Sequence, residues 1–305
     1  MARAGYAAHQ AFIAPARGAD DPRLLMIGIL LVEVIYLASV YLMEPVMALI
    51  PLAPAEAVAG GTTPAGLRVQ LFSFVTLALA VVLVARRLHG RGFQSLLGPV
   101  GPMLRQLIRV TVIAGAMVMA VQVLPLDPAA LAFAEMRPLG PWLALLPLSL
   151  AALLVQTGSE ELFYRGYVQQ QLAARFNRRW VWMVLPNLLF AAAHYSPDMR
   201  HDEAVQYLIW AFVFGLAATD LTARSGTLGP AIGFHLVNNA LAFLFYAEAG
   251  GVDSGLALFL FAPDLALGAL PEEAFEAPPA LDLLLLWDLA GILMLWIAAR
   301  IAIWR

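Results

Sequence analysis

The chain has no cysteine, and all eighteen of its basic residues are arginine. Without sulfur nucleophiles it has no disulfide, no thiol catalyst, no thiolate metal ligand and no lipid on sulfur. Any catalyst here must use oxygen or nitrogen. Charge is also scarce: charged residues make up 13% of the 305, the net charge is −3, and no long basic run offers a surface to nucleic acid. The first twenty-three residues hold Arg3, His9, Pro15, Arg17, Asp20 and Asp21 but no apolar core and no convincing cleavage site. They do not read as a signal peptide, and residues 1–23 are expected to be a cytoplasmic tail.

What is abundant is apolar surface. A hydrophobic content of 62% and a mean hydropathy of +0.79 lie outside the range of soluble domains. A bilayer-crossing helix needs about 20 largely apolar residues. About eight segments qualify: Leu24 to Met43, Leu67 to Ala85, Leu107 to Leu124, Trp142 to about Glu160 and onward, Trp180 to Tyr195, Ala204 to Leu221, Leu228 to Ala247, and Leu281 to Ala299. The expected fold is therefore all-α, a polytopic bundle of about eight membrane helices forming one domain over residues 24–305. Arginines gather in alternate connections, at Arg86, Arg87, Arg91, Arg105 and Arg109, at Arg175, Arg178 and Arg179, at Arg224, and at Arg300 and Arg305. By the positive-inside rule both termini are cytoplasmic, and the acidic, arginine-free loop from Glu248 to Ala280 lies outside. "GRGFQSLLGP", Gly90 to Pro99, reads as a short interfacial helix.

Ionisable side chains at bilayer depth are costly, so each one is a functional candidate. In "SEELFYRG", Ser159 to Gly166, Glu161 and Arg165 stand four apart in the Glu-first order that favours an ion pair, which leaves Glu160 free. If the next two segments form a hairpin turning near Asn177, Glu160 and His194 of "FAAAHY" sit seventeen residues on either side of it, at matching depth. In "GFHLVNNA", His235 and Asn239 share one helical face. Asn187, Gln122 and Gln156 read as interhelical glue. Glu33, in the middle of the first segment, is expected to have a structural partner that the sequence does not name. His201 reads as solvated loop, and His9 and His89 lie outside the spans.

No HExxH helix, GxSG loop or GxGD motif is present, which leaves a carboxylate–imidazole site. A partly buried carboxylate is a stronger base than a solvated one, so Glu160 can deprotonate a water that His194 helps to orient. His235 and Asn239, donors on one face, can stabilise the oxyanion formed when that water attacks a carbonyl. The residues thus suggest amide hydrolysis. "EELFYR", "FAAAH" and "HLVNN" fit the EExxxR, FxxxH and HxxxN motifs, in order, of the CAAX-protease and bacteriocin-processing (CPBP, or Abi) family, which this chain resembles over residues 141–246. The family comprises intramembrane endopeptidases, and its eukaryotic relatives remove the last three residues of prenylated CAAX proteins. The resemblance implies that Glu160 and His194 activate water, that His235 and Asn239 form the oxyanion site, and that Glu161 and Arg165 support the geometry.

Three other readings compete. A zinc-dependent protease would draw on the same carboxylate and imidazoles, but no compact ligand pair stands on one helix, and no cofactor is expected. A non-catalytic scaffold or immunity-type protein would keep the fold without the chemistry. A transporter would use Glu33, Glu160 and the histidines as a proton relay, yet no inverted repeat is visible. The expected partners are the lipid bilayer and a membrane-associated peptide or protein, within the bacterial inner membrane. A larger membrane complex is compatible with this, and nucleic acid is not expected.

Overall fold

The computed structural model describes residues 4–50, 52–123, 134–197, 199–262 and 282–304. Along the chain the helices are α1 (Ala7–Ile13), α2 (Pro22–Tyr41), α3 (Met43–Leu49), α4 (Ala55–Ala59), α5 (Pro64–Ser73), α6 (Val75–His89), α7 (Phe93–Leu97) and α8 (Val100–Val123). After a gap follow α9 (Leu139–Glu161), a π-helical stretch (Leu162–Gln169), α10 (Gln170–Arg175), α11 (Arg179–Ala193), α12 (His201–Ser225), α13 (Gly229–Leu244) and α14 (Leu283–Ala302). The interfacial helix expected within Gly90–Pro99 is α7, and its Leu96 and Leu97 are buried.

Among the described residues six helical stretches are long and apolar enough to cross a membrane: Pro22–Leu49, Pro64–His89, Val100–Gln122, Leu139–Arg175, His201–Ser225 and Leu283–Ala302. The other two expected segments are the shorter helices α11 and α13, of 15 and 16 residues. At about 1.5 Å per residue each is roughly 22–24 Å long, short of a hydrocarbon core of about 30 Å. They are framed by the long helices and carry much of the site. The outward faces of the long helices are apolar: Leu30, Val34 and Leu37 of α2, and Leu284, Leu286 and Trp287 of α14, are all exposed. Those faces suit lipid, while the polar side chains are gathered inside.

α13 lies against α8 because glycine lets the backbones touch. A Cβ at Gly229 would stand 2.1 Å from the Met103 carbonyl oxygen, and one at Gly233 would stand 2.9 Å from that of Leu107. The Gly229–Gly233 spacing is the small-xxx-small pattern of close membrane-helix packing. It fixes the depth and rotation of His235 and Asn239.

Two further features were not foreseen. Residues 7–16, within the expected tail, are packed against the bundle: Phe12, Ile13 and Ala16 are buried, and the His9 ring lies 4.5 Å from Trp182. At the opposite end, Ala134–Met136 (β1), Tyr246–Glu248 (β2) and Phe259–Phe261 (β3) form a small sheet in the order β1-β3-β2. β1 pairs antiparallel with β3, Glu135 opposite Leu260, and β2 pairs parallel with β3. The expected external loop from Glu248 to Ala280 is described only as far as residue 262; the rest of it lies outside the described residues.

Candidate active site

α9 descends as a regular helix whose hydroxyls are turned inward on its own backbone. Ser149, Thr157 and Ser159 donate to the carbonyls of Leu145, Leu153 and Val155, each four residues earlier. The helix then delivers Glu160 and Glu161 and passes directly into the π-helix Leu162–Gln169. Such wide turns often mark functional positions. Downstream, Gln170 donates to the carbonyl of Ser95 and Gln171 to that of Ala19, which ties this part of the chain to α7 and to the N-terminal segment.

Glu161 and Arg165 are wholly buried and paired at 3.2 Å, as their spacing suggests. The guanidinium also donates to Asn187 Oδ1 at 3.3 Å and to the Gly215 carbonyl at 3.2 Å, and lies over the Phe190 ring at 4.8 Å. Asn187 is itself held by Thr219 Oγ1 at 3.0 Å. Gly215 is required here, since a Cβ on it would come within 2.5 Å of Asn187 Oδ1. Asn187 is thus the neutral second partner of Arg165 and more than generic glue; its place seven residues before His194, on the same helical face, was the available signal.

His235 reaches both carboxylates. Its Nδ1 is 2.8 Å from Glu161 Oε1, and its Nε2 is 3.6 Å from Glu160 Oε2. A carboxylate only accepts, so Nδ1 carries the proton shared with Glu161. The ring is held edge-on to Phe214 and Phe190, at 4.9 and 6.2 Å.

Asn239, one turn further along α13, reaches Glu160 through a third residue. Its Nδ2 donates to Gln156 Oε1 at 2.9 Å, and Gln156 Nε2 donates to Glu160 Oε1 at 2.7 Å. The second carboxylate oxygens, Glu160 Oε2 and Glu161 Oε2, are buried without a hydrogen-bond partner. An orphaned buried oxygen is expensive unless something binds there, and Glu160 Oε2 is the one that faces Nε2 of His235.

His194 stands apart from this cluster. α11 ends at Ala193, and His194 caps it, with Nδ1 donating to the Phe190 carbonyl at 2.7 Å. Nε2 therefore has a free lone pair. The ring packs 4.3 Å from Phe190 and 5.8 Å from Tyr207, so the two imidazoles flank one phenylalanine, but His194 has no hydrogen bond to Glu160 among the described residues.

Glu33 is half-buried and, against expectation, has no hydrogen bond or ion pair among the described residues. Among the described residues no three His, Asp or Glu side chains are gathered as a metal would need.

Residues 141–241 match the family model described as "Type II CAAX prenyl endopeptidase Rce1-like". Among curated proteins, "Uncharacterized protein YyaK" of Bacillus subtilis (strain 168) is 28% identical over 112 residues, 37% of this chain and 38% of that protein. The chain thus spans less than two fifths of the length of the curated relative it matches. No solved structure matches. The matched interval, residues 141–241 of the 305, contains every member of the cluster, from Gln156 to Asn239, and over it the chain is similar to that family.

Proposed function

We propose that the protein is an intramembrane endopeptidase that hydrolyses a peptide bond of a membrane-associated peptide or protein with water activated by Glu160. The observation that carries this reading is the buried, unpartnered Oε2 of Glu160, whose sister oxygen is already taken by Gln156. A water on Oε2 would sit beside Nε2 of His235. Glu160 takes its proton while its oxygen adds to the scissile carbonyl carbon, and the same proton then passes to the departing amine. The free Nε2 of His194 can accept a hydrogen bond from that water or from the substrate.

The carbonyl oxygen becomes an oxyanion that needs donors. Asn239 has a second Nδ2 hydrogen beyond the one given to Gln156. His235 has a second N–H, at Nε2, only as the imidazolium. In that form Glu160, Glu161, Arg165 and His235 carry no net charge together, which is the cheapest state for a buried quartet. The reading places the protein in the bacterial cytoplasmic membrane with both termini inside, works without a metal, and leaves the sequence of the substrate open.

Comparative membrane proteomics of a Glu160→Gln strain against wild type tests it. An uncut membrane-associated polypeptide should accumulate in the variant strain. Equal profiles, with both proteins expressed at the same level, would favour a non-catalytic scaffold.

A further inference from the structure

The sequence gives Gln156 no role beyond glue, and none of the three motifs includes it. In the structure it is the sole direct bridge between the carboxylate of α9 and the amide of α13 among the described residues. Its side chain is buried, 6% exposed, and both ends are engaged.

The direction of the chain of amides is set by its end. Glu160 can only accept, so Gln156 must turn its NH₂ toward Glu160 and its carbonyl toward Asn239. Asn239 must then present its own NH₂ to Gln156, and its Oδ1 is left to accept from Asn238 Nδ2 at 3.0 Å. Every amide in the row Asn238, Asn239, Gln156 thus points its donor toward Glu160. Linked bonds of this kind polarise one another in a low-dielectric interior.

We propose that Gln156 is the positioning residue of the site, with two effects set by one side chain. It occupies Oε1 of Glu160, so that Oε2 alone is free to meet water. It also fixes the flip of the Asn239 amide, so that an N–H and not a C=O faces the oxyanion. A glutamine that only filled space between α9 and α13 would do neither.

The kinetic part of this proposal rests on the endopeptidase reading; the spectroscopic part does not. Gln156→Met keeps length and bulk and removes both hydrogen bonds. In purified protein, the infrared carboxylate bands of Glu160, isolated by subtracting the Glu160→Gln spectrum, should move in Gln156→Met. With an internally quenched prenylated CAAX peptide as the probe, kcat should fall about 10- to 100-fold while KM stays within about twofold, because the lost contacts act on the transition state. Gln156→Glu, which can still accept from Asn239 but cannot donate to Glu160, should lose kcat as well. The double variant Gln156→Met/Asn239→Ala should be hardly worse than the poorer single variant, since the row is broken once in each.

Unmoved Glu160 bands in a folded Gln156→Met protein would overturn the proposal. So would losses confined to melting temperature or to KM, or fully additive single effects. A wild-type protein that cleaves no peptide would defeat the endopeptidase reading instead, and the infrared bands would still decide the part played by Gln156.

Discussion

Two buried acidic centres of this molecule are built in opposite ways. Asp220, on α12, is saturated: Oδ1 accepts from the Tyr6 hydroxyl at 2.6 Å and from Arg224 Nε at 2.8 Å, and Oδ2 accepts from Trp296 Nε1 at 3.1 Å and from Arg300 at 3.3 Å. These donors come from the N-terminal segment, from α12 itself and from α14, so one carboxylate clamps three parts of the fold. Glu160 and Glu161 each keep one buried oxygen without a partner. Folding normally satisfies buried polar atoms, so these oxygens are open to an incoming partner. The first centre is a lock, and the second is a site.

That contrast orders the expected effects of mutation. Arg165→Met should be the most damaging to the fold, because it strands the fully buried Glu161 charge and also removes contacts to Asn187 and Gly215. Breaking a buried pair in this way costs about 3–5 kcal/mol, measurable as the unfolding midpoint of the solubilised protein. Asp220→Asn keeps one acceptor among four donors and should cost about 1–3 kcal/mol, with faster hydrogen exchange in residues 7–16. If Asp220→Asn proved the more destabilising of the two, the stranded Glu161 charge would not be the larger cost to the fold.

An effect of comparable size is expected from pH at the docked N-terminal segment. Burial beside Trp182 pushes the His9 imidazole down from 6.5 to about 4, so the docked segment holds it neutral. Once undocked, the ring binds a proton more readily. Docking should therefore be at full strength above about pH 6.5 and weaken as pH falls toward 4, by up to about 3 kcal/mol. The protection of residues 7–16 against hydrogen exchange, relative to the intrinsic rate at each pH, should fall between pH 7 and pH 4.5, and His9→Leu should abolish that dependence. The same fall in His9→Leu would assign it to other groups.

Much of the site was legible because helical spacing carries its chemistry. The i,i+4 order of Glu161 and Arg165 predicts their pair, and the spacing of His235 and Asn239 puts both toward α9. Gln156 was equally well spaced, four before Glu160, but a bridge needs the third partner from α13, and no local pattern announces that. His194 ends as the cap of α11, which the hairpin count, carrying the helix on to Tyr195, does not show. The docking of α1 rests on Phe12 and Ile13 among small alanines, too little for a periodic signal. The short sheet joins segments more than a hundred residues apart, which sequence pattern does not reveal.

The account depends on Glu160 making water nucleophilic inside the bundle. Its most direct test is turnover by the purified Glu160→Gln protein in liposomes, assayed on the prenylated CAAX peptide or on whichever polypeptide accumulates in the variant strain. At least a 100-fold loss of kcat, with an unfolding midpoint equal to that of wild type, is the predicted result. Activity within about threefold of wild type would contradict the account and remove Glu160 from the chemistry.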